Sequence, residues 1–117
     1  MRRGEIWWAV LQPRSGSEQR GRRPVVVLSH DAFNAVEGWR SVIVVPLTTS
    51  TRQRLRGPTV AAIPASVTGL PRSSSALGHQ ITTLDRAKLT ERVGRLDDEH
   101  LRAVEEAVLH ACDLVDP

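Results

Sequence analysis

The sequence predicts a mainly β domain that ends in a single helix. Three apolar, β-prone runs occupy the first half of the 117-residue chain, at 4–11, 25–29 and 41–49. Near the end, from Leu101 to Val115, apolar residues recur at spacings of three and four, which is typical of an amphipathic helix. A chain of this length forms one domain with a real core. We therefore expect residues 1–117 to be one domain.

The first half is organised as strands joined by polar loops. The run at 4–11 predicts a first strand, and residues 12–22 predict a long polar loop. The run at 25–29 predicts a second strand, either buried on both faces or strongly bent inside a small barrel. A short helix is expected at 30–36. The run at 41–49 is the strongest strand signal, and Pro46 within it predicts an edge or a bulge, because proline has no N–H to donate.

The second half predicts shorter strands and then the helix. An arginine-rich loop at 50–58 precedes strands expected at 59–63 and 74–84, with a turn at 68–71 between them. Acidic residues at 97–99 suit the first turn of the terminal helix, because the helix dipole favours negative charge there.

The charge distribution indicates a surface that faces a polyanion. Residues 1–60 hold ten arginines against four acids, a net charge of +6, whereas residues 61–117 have a net charge of −3. Clustered arginine in loops is typical of phosphate and nucleic-acid binding. The alternative is an ordinary solvated basic surface in an arginine-rich protein. The clustering in the N-terminal half favours the first interpretation.

Composition excludes several function classes. Cys112 is the only cysteine, so an intrachain disulfide and a cysteine-cluster zinc site are excluded. The four histidines have neither HxH nor HExxH spacing, and we expect no metal site and no cofactor. Signatures of serine hydrolases, P-loop enzymes and dinucleotide-binding folds are absent from the sequence. The N-terminal apolar run is too short for a signal peptide or a membrane span, which predicts a cytoplasmic protein with no membrane partner.

The remaining candidates for chemistry are Arg23, Thr48 and His79, which stand at predicted strand ends. RNA can be cleaved without a metal if a protein assists attack of a 2′-hydroxyl on the neighbouring phosphorus. Arg23 would supply charge to the phosphate, Thr48 a hydroxyl donor, and His79 a group that titrates near neutral pH. Each also has an ordinary structural explanation, as a surface or capping residue.

Several motifs, in order along nearly the whole chain, resemble the MazF/PemK toxins. They are RGEIW at 3–7, GSEQ at 16–19, GRRPV at 21–25, VPLT at 45–48, TGL at 68–70 and QITTLD at 80–85. The resemblance implies a small SH3-like β-barrel of the MazF/CcdB type, with a C-terminal helix and a homodimeric assembly. It also implies a metal-independent, sequence-selective endoribonuclease that cuts single-stranded RNA, leaves 2′,3′-cyclic phosphate and 5′-hydroxyl ends, and is silenced by an acidic, partly disordered antitoxin.

The resemblance assigns roles to individual residues. Arg23 and Thr48 match the family's catalytic pair, and the position that often carries an acid holds His79 here, so that His79 either inherits proton transfer or is dispensable. Leu77 stands where some members have a further arginine. The predicted RNA-binding residues are Ser17, Glu18, Gln19, Arg22, Asn34, Thr49, Ser50, Arg52, Ser74 and Gln80.

Two other functions fit the fold class. A related toxin class shares this fold and poisons DNA gyrase by binding it, without catalysis of its own. A regulatory nucleic-acid-binding module would explain the arginines equally well. The intact Arg23-Pro24 pair and Thr48 favour the ribonuclease, because gyrase binding does not need them.

Overall fold

The computed structural model describes residues 1–11, 16, 21–50 and 57–115. These residues form seven strands, three short or medium helices and three 3-10 turns. The strands are β1 (Glu5–Val10), β2 (Arg22–Val27), β3 (Ser41–Thr48), β4 (Val60–Ile63), β5 (Ser74–Leu77), β6 (Thr82–Asp85) and β7 (Leu89–Arg95). The helices are α1 (Asp31–Asn34), α2 (Ala65–Thr68) and α3 (Asp98–Ala111), and the 3-10 turns are 57–59, Gly78–Gln80 and Arg86–Lys88.

All strand pairs are antiparallel, in the order β4-β5-β3-β2-β1-β7, with β6 paired to β3 beside this path. The mainly β architecture with a C-terminal helix is as predicted. The expected barrel is not closed, since within the described residues β4 and β7, at the two ends of the order, do not pair with each other. A tight closure needs the first and last strands to meet, and here α3 packs beside β4 and β5 instead.

β3 changes partner midway along its length. Its residues 41–44 pair with β6, and Leu47 and Thr48 pair with β5. Pro46 lies at the change, where it pairs with Val25 of β2 on the other side. The missing N–H of Pro46 therefore falls where neither β5 nor β6 pairs with the strand, which is how a buried strand can hold a proline.

The alternation of side chains along β1, β2 and β3 builds two cores on opposite faces of the sheet. One core includes Ile6, Val26, Val45, Leu47 and the α3 residue Val104, as well as other apolar residues. The second contains a different set from the same strands, together with β6 and β7: Ala9, Val25, Val27, Val42, Val44, Leu84 and Leu89. Burial on both faces explains why 25–29 and 41–49 are almost continuously apolar.

Some element boundaries differ from the predictions. β2 begins at Arg22 rather than at 25, so both arginines before Pro24 lie in the strand. The strand expected at 74–84 is interrupted by the turn at Gly78–Gln80, and the sequence analysis missed α2 and β7. Gly78 lets this turn pack closely against α3, because a Cβ there would lie 2.5 Å from the backbone of Ala107. Most of the loop expected at 12–22 and part of that at 50–58 lie outside the described residues.

Candidate functional site

A cleft forms where β2, β3 and β5 meet, at the end of the sheet that carries Arg23. Its volume is about 230 Å³. The described residues that line it are Trp8, Arg22, Arg23, Pro24, Leu47, Thr48, Thr49, Leu70, Pro71, Arg72 and Ser74. Arginines and hydroxyl groups therefore surround a pocket whose walls are mostly apolar.

The strand register explains why Arg23 and Thr48 share this cleft. Val25 of β2 pairs with Pro46 of β3. Arg23 comes two residues before Val25, and Thr48 comes two residues after Pro46. Because the strands are antiparallel, both residues lie at the same end of the ladder, and both line the cleft. Here Arg22, Arg23 and Pro24 pair with β1, and the pairing with β3 covers only Val25–Val27. Pro24 thus adds no unpaired N–H to the open side.

The hydroxyl of Thr48 is positioned by the chain itself. Thr48 is buried, and its Oγ1 accepts a hydrogen bond of 3.2 Å from the backbone N–H of Ser50. Since the oxygen accepts this bond, the hydroxyl hydrogen can be donated to another group. Arg23 is exposed, as a cation that meets a phosphate must be. The pair combines a positioned neutral donor with an accessible guanidinium.

Arg22 is held at the cleft wall by two contacts. Its guanidinium carbon lies 4.4 Å from the centre of the Trp8 ring, a cation–π contact. Its Nη2 lies 3.2 Å from a carboxylate oxygen of Glu91 in β7, and both of these side chains are mostly exposed. Cross-strand geometry produces the first contact, because Val10 pairs with Arg22 and Trp8 is the diagonal neighbour.

Ser74 brings a buried polar atom to the same cleft. Its residue is 1% exposed, and its Oγ makes no hydrogen bond to any of the described residues. Its position follows from the register, because the next residue, Ser75, pairs with Thr48. Arg22, Thr49 and Ser74 are thus brought together with the predicted catalytic pair, whereas Ser50 contributes through its backbone.

Other predicted site residues lie elsewhere. His79 and Gln80 are in the 3-10 turn that follows β5, next to α3. Ser74 and His79 are five residues apart along β5 and its turn, which corresponds to a separation of roughly 10 Å or more. His79 is exposed and Gln80 is half-buried. The structure therefore does not place His79 among the described residues that line the cleft.

Asn34 is buried beneath the loop between β2 and β3. Its amide donates to the carbonyl of Ser29 at 2.7 Å and to Asp31 Oδ1 at 3.1 Å, and its Oδ1 accepts from Ser29 Oγ at 2.6 Å. These bonds favour a structural role for Asn34. The predicted RNA-binding residues Ser17, Glu18, Gln19 and Arg52 lie outside the described residues.

Sequence reasoning missed Trp8 and Arg72 as cleft residues. Trp8 was interpreted only as part of an apolar strand, although its diagonal relation to Arg22 follows once β1 and β2 are paired. Arg72 follows the turn that α2 and Gly69 form, and Gly69 supplies the left-handed conformation (φ +80°) that ends α2. Turn residues in the sequence predict a change of chain direction, but they do not show where the side chain after the turn points.

Neither a metal centre nor a membrane span is found in the part of the chain that the structure describes. No three or more of its histidine, cysteine, aspartate and glutamate side chains form a group that could hold a metal ion. None of its helices has the length and apolar character needed to cross a membrane.

Residues 2–111 match the family described as PemK-like, MazF-like toxin of type II toxin-antitoxin system. The chain belongs to this family. A relative named Endoribonuclease EndoA, from Bacillus subtilis (strain 168), is 36% identical over 116 residues, which cover 99% of this chain and 97% of the relative.

Solved structures support the same fold. MazF (Form-I) from Deinococcus radiodurans superposes with a TM-score of 0.79 at 26% identity, covering 97% of this chain and 96% of that one. An endoribonuclease in complex with its cognate antitoxin from Mycobacterial species also has a TM-score of 0.79, at 24% identity, covering 100% of this chain and 99% of that one. The MazF/CcdB-like fold predicted from the sequence is confirmed, with the sheet left open.

Proposed function

We propose that this MazF-family protein is a metal-independent endoribonuclease toxin that cleaves single-stranded RNA at selected sequences. The observation that carries the proposal is the placement of Arg23 and Thr48 in one cleft. The family description as a toxin supports it, and so does the name of the 36% identical relative as an endoribonuclease. The gyrase-poison and regulatory-binder alternatives explain the arginines but give no reason for a buried, oriented Thr48 hydroxyl beside one of them.

The proposed reaction is an internal transfer at phosphorus. The 2′-oxygen forms a bond to the adjacent phosphorus, and the bond from phosphorus to the 5′-oxygen breaks. The products are a 2′,3′-cyclic phosphate and a 5′-hydroxyl, with one proton leaving the 2′-hydroxyl and one joining the 5′-oxygen. Negative charge accumulates on the non-bridging oxygens, where the Arg23 guanidinium and the Thr48 hydroxyl would donate.

Charge stabilisation carries the catalysis in this proposal. The described lining of the cleft holds no carboxylate and no imidazole. His79 lies outside the described lining of the cleft, and we assign it a role outside proton transfer, such as a contact to a neighbouring phosphate. Ser17, Glu18, Gln19, Arg22, Thr49, Arg52 and Gln80 remain proposed RNA contacts, with Ser50 supporting Thr48.

An acidic antitoxin would compete for the same surface. Three arginines at the cleft, Arg22, Arg23 and Arg72, provide the electrostatic attraction, and the cleft's apolar walls provide anchors. A peptide covering the antitoxin's acidic segment should displace a non-cleavable RNA in which a 2′-deoxy residue replaces the attacking ribose. Simultaneous binding of peptide and RNA would instead place the antitoxin on a remote face.

A second copy of the chain is the proposed partner of an apolar groove on another side. Leu28, Ile43, Ile81, Val108 and Leu109 line this groove, which lies between β3 and α3. Its charged rim residues, Arg3 and Glu105, already form an ion pair, so a strongly charged partner would gain little there. A homodimer that buries the groove suits these features, because soluble monomers seldom expose large apolar patches.

Cleavage in the presence of EDTA tests the central proposal. Purified protein is incubated with a pool of single-stranded RNA, and the ends of the fragments are analysed. We expect discrete fragments with cyclic phosphate and 5′-hydroxyl ends, formed at unchanged rate when EDTA is added. Intact RNA would overturn the ribonuclease, and cleavage that EDTA abolishes would overturn metal independence.

A further inference from the structure

The cleft beside Arg23 and Thr48 is lined by a residue whose buried hydroxyl has no hydrogen-bond partner among the described residues. This residue is Ser74, and the buried atom is its Oγ. Buried hydroxyl groups in folded proteins nearly always have a partner, and a group without one calls for a ligand or a bound water. A hydroxyl can donate to or accept from the edge of any nucleobase.

The walls of the cleft suit the flat face of an aromatic ring. Trp8 forms one side, and Leu47, Leu70 and Pro71 supply further apolar surface. Proteins that bind single-stranded nucleic acid stack unpaired bases on aromatic side chains such as this. The volume of about 230 Å³ is smaller than the roughly 300–1,000 Å³ of pockets that enclose drug-sized ligands, so it suits one base rather than a whole nucleotide.

The charges around the cleft suit the phosphates that would flank such a base. Arg72 lines the cleft together with Arg23. Arg22 lies over one face of the Trp8 ring and pairs with Glu91 through mostly exposed side chains. Exposed ion pairs contribute little to stability, so Arg22 can exchange Glu91 for a phosphate at small cost.

We propose that Trp8 and Ser74 form a base pocket that holds one unstacked nucleobase of the RNA, next to the phosphate that is cleaved. Trp8 contacts the face of the base and Ser74 Oγ its edge, so the pocket contributes to sequence selectivity. This inference rests on the proposed ribonuclease function and adds to it a subsite whose residues lie outside the catalytic pair.

Ser74→Ala should slow cleavage without lowering the melting temperature. Removal of an unpaired buried hydroxyl leaves the melting temperature unchanged or raises it by up to about 4 °C. The same change lowers kcat/KM for the preferred RNA by about 3- to 10-fold, because the base edge loses its partner. A lower melting temperature together with unchanged cleavage would mean that Ser74 is satisfied within the protein, and would overturn its role.

Trp8→Leu and Trp8→Phe test the stacking surface. Loss of one base–aromatic stack corresponds to about a 5- to 100-fold lower kcat/KM, and phenylalanine should recover most of it. Trp39→Leu is the matched control, since Trp39 is 45% exposed at the opposite end of the sheet and should leave cleavage unchanged.

An RNA series with one abasic residue at each position completes the experiment. The wild-type protein should lose rate when the base next to the cleaved bond is missing, and Trp8→Leu should lose nothing further on that substrate. Equal losses for both proteins at every position would overturn the pocket while leaving the ribonuclease intact. Absence of cleavage by the wild-type protein on any RNA would overturn the proposed function and the pocket with it.

Discussion

Polar groups have different roles at the two ends of strands β2 and β3. At the far end, where β2 finishes and β3 begins, Arg86 donates to the backbone carbonyls of Phe33, Asn34 and Trp39. At the cleft end, Thr48 presents a hydroxyl hydrogen and Ser74 a buried hydroxyl that the described residues do not satisfy. The first end uses polar groups to complete the fold, and the second keeps hydrogen-bonding capacity for a ligand.

The carboxylates emphasise the same contrast. Four described carboxylates have a lowered pKa, and all lie toward the far end: Glu5, Asp31, Asp85 and Asp97. Burial raises the pKa of Glu5, but hydrogen bonds from the Arg2 N–H, the Trp7 indole and Arg92 outweigh it. For the other three, a backbone N–H bond to the carboxylate is the largest cause. Stability and chemistry are thus concentrated at different ends of the same strands.

Two arginine variants should separate the effect on cleavage from the effect on stability most clearly. Arg23→Ala removes an exposed cation without leaving a cavity, and we expect about a 100- to 1,000-fold loss of cleavage with the fold retained. Arg23→Lys should also be impaired, because a point charge does not reproduce the guanidinium fork.

Arg86→Ala should do the reverse. It removes hydrogen bonds to three carbonyls at the far end and should lower the melting temperature, while single-turnover cleavage measured well below that temperature stays within about twofold. If Arg23→Ala cleaves normally with an unchanged circular dichroism spectrum, the assignment of the cleft fails.

Thr48→Val tests the hydroxyl at the cleft end. Hydrogen bonds to charged groups contribute about 1.5–3 kcal/mol, so the variant should cleave about 10- to 150-fold more slowly. It also loses the bond from the Ser50 N–H and should be slightly less stable. Thr48→Ser keeps both functions and serves as the control. An equal loss in the serine variant would indicate that packing, rather than the hydroxyl, matters.

Acid should remove the stabilisation that the carboxylates at the far end provide. A carboxyl group whose pKa is lowered in the folded protein stabilises it at pH values above its ordinary pKa, near 4.5 for Glu5, and this stabilisation is lost as the pH falls toward the folded value. We expect urea stability to be flat from pH 7 to 5 and to fall below about pH 4.5. Glu5→Gln should be less stable at pH 7 and flatter at acid pH, whereas Arg23→Ala should follow the wild-type profile. A Glu5→Gln profile parallel to wild type would contradict the pKa direction.

The smallest effect is expected for His79→Ala. Since His79 lies in the turn beside α3, cleavage should fall tenfold or less, with no change in the pH–rate profile between pH 6 and 7, where histidines ordinarily titrate. His79→Asp should likewise change the profile little. A loss of 100-fold or more in His79→Ala, recovered in His79→Asp with a profile moved to lower pH, would restore His79 as the catalytic base.

The sequence predicted the fold best where burial leaves a strong local signal. Continuous apolar runs revealed β1 and β3, and the spacing of Leu101 and Val104 revealed α3. β7 was missed because four of its seven residues are charged or polar, and its pairing with β1 is not visible locally. The sequence also did not show that the sheet is open, because closure depends on how distant strands meet.

The candidate site could be predicted only as a set of residue types. Arg23 and Thr48 stand at strand ends in the sequence, and the register of β2 and β3 brings them together. The cleft position of Trp8 depends on a diagonal contact to Arg22. Whether Ser74 Oγ has a hydrogen-bond partner depends on which polar groups the folded chain brings within reach. These contacts join residues that are far apart in the sequence, so neither the position of Trp8 nor the missing partner of Ser74 could be predicted from it.

Strand β3 joins the two cores, because its alternating side chains enter both of them. Val42 and Val44 belong to one core, and Val45 and Leu47 to the other, so neither can separate from β3 without disturbing the strand that holds both. The chain should therefore unfold in a single cooperative transition, and the amides of Val44 and Leu47 should exchange with solvent only when the whole protein opens. Within the described residues, neither core should open alone and offer proteases a place to begin degradation.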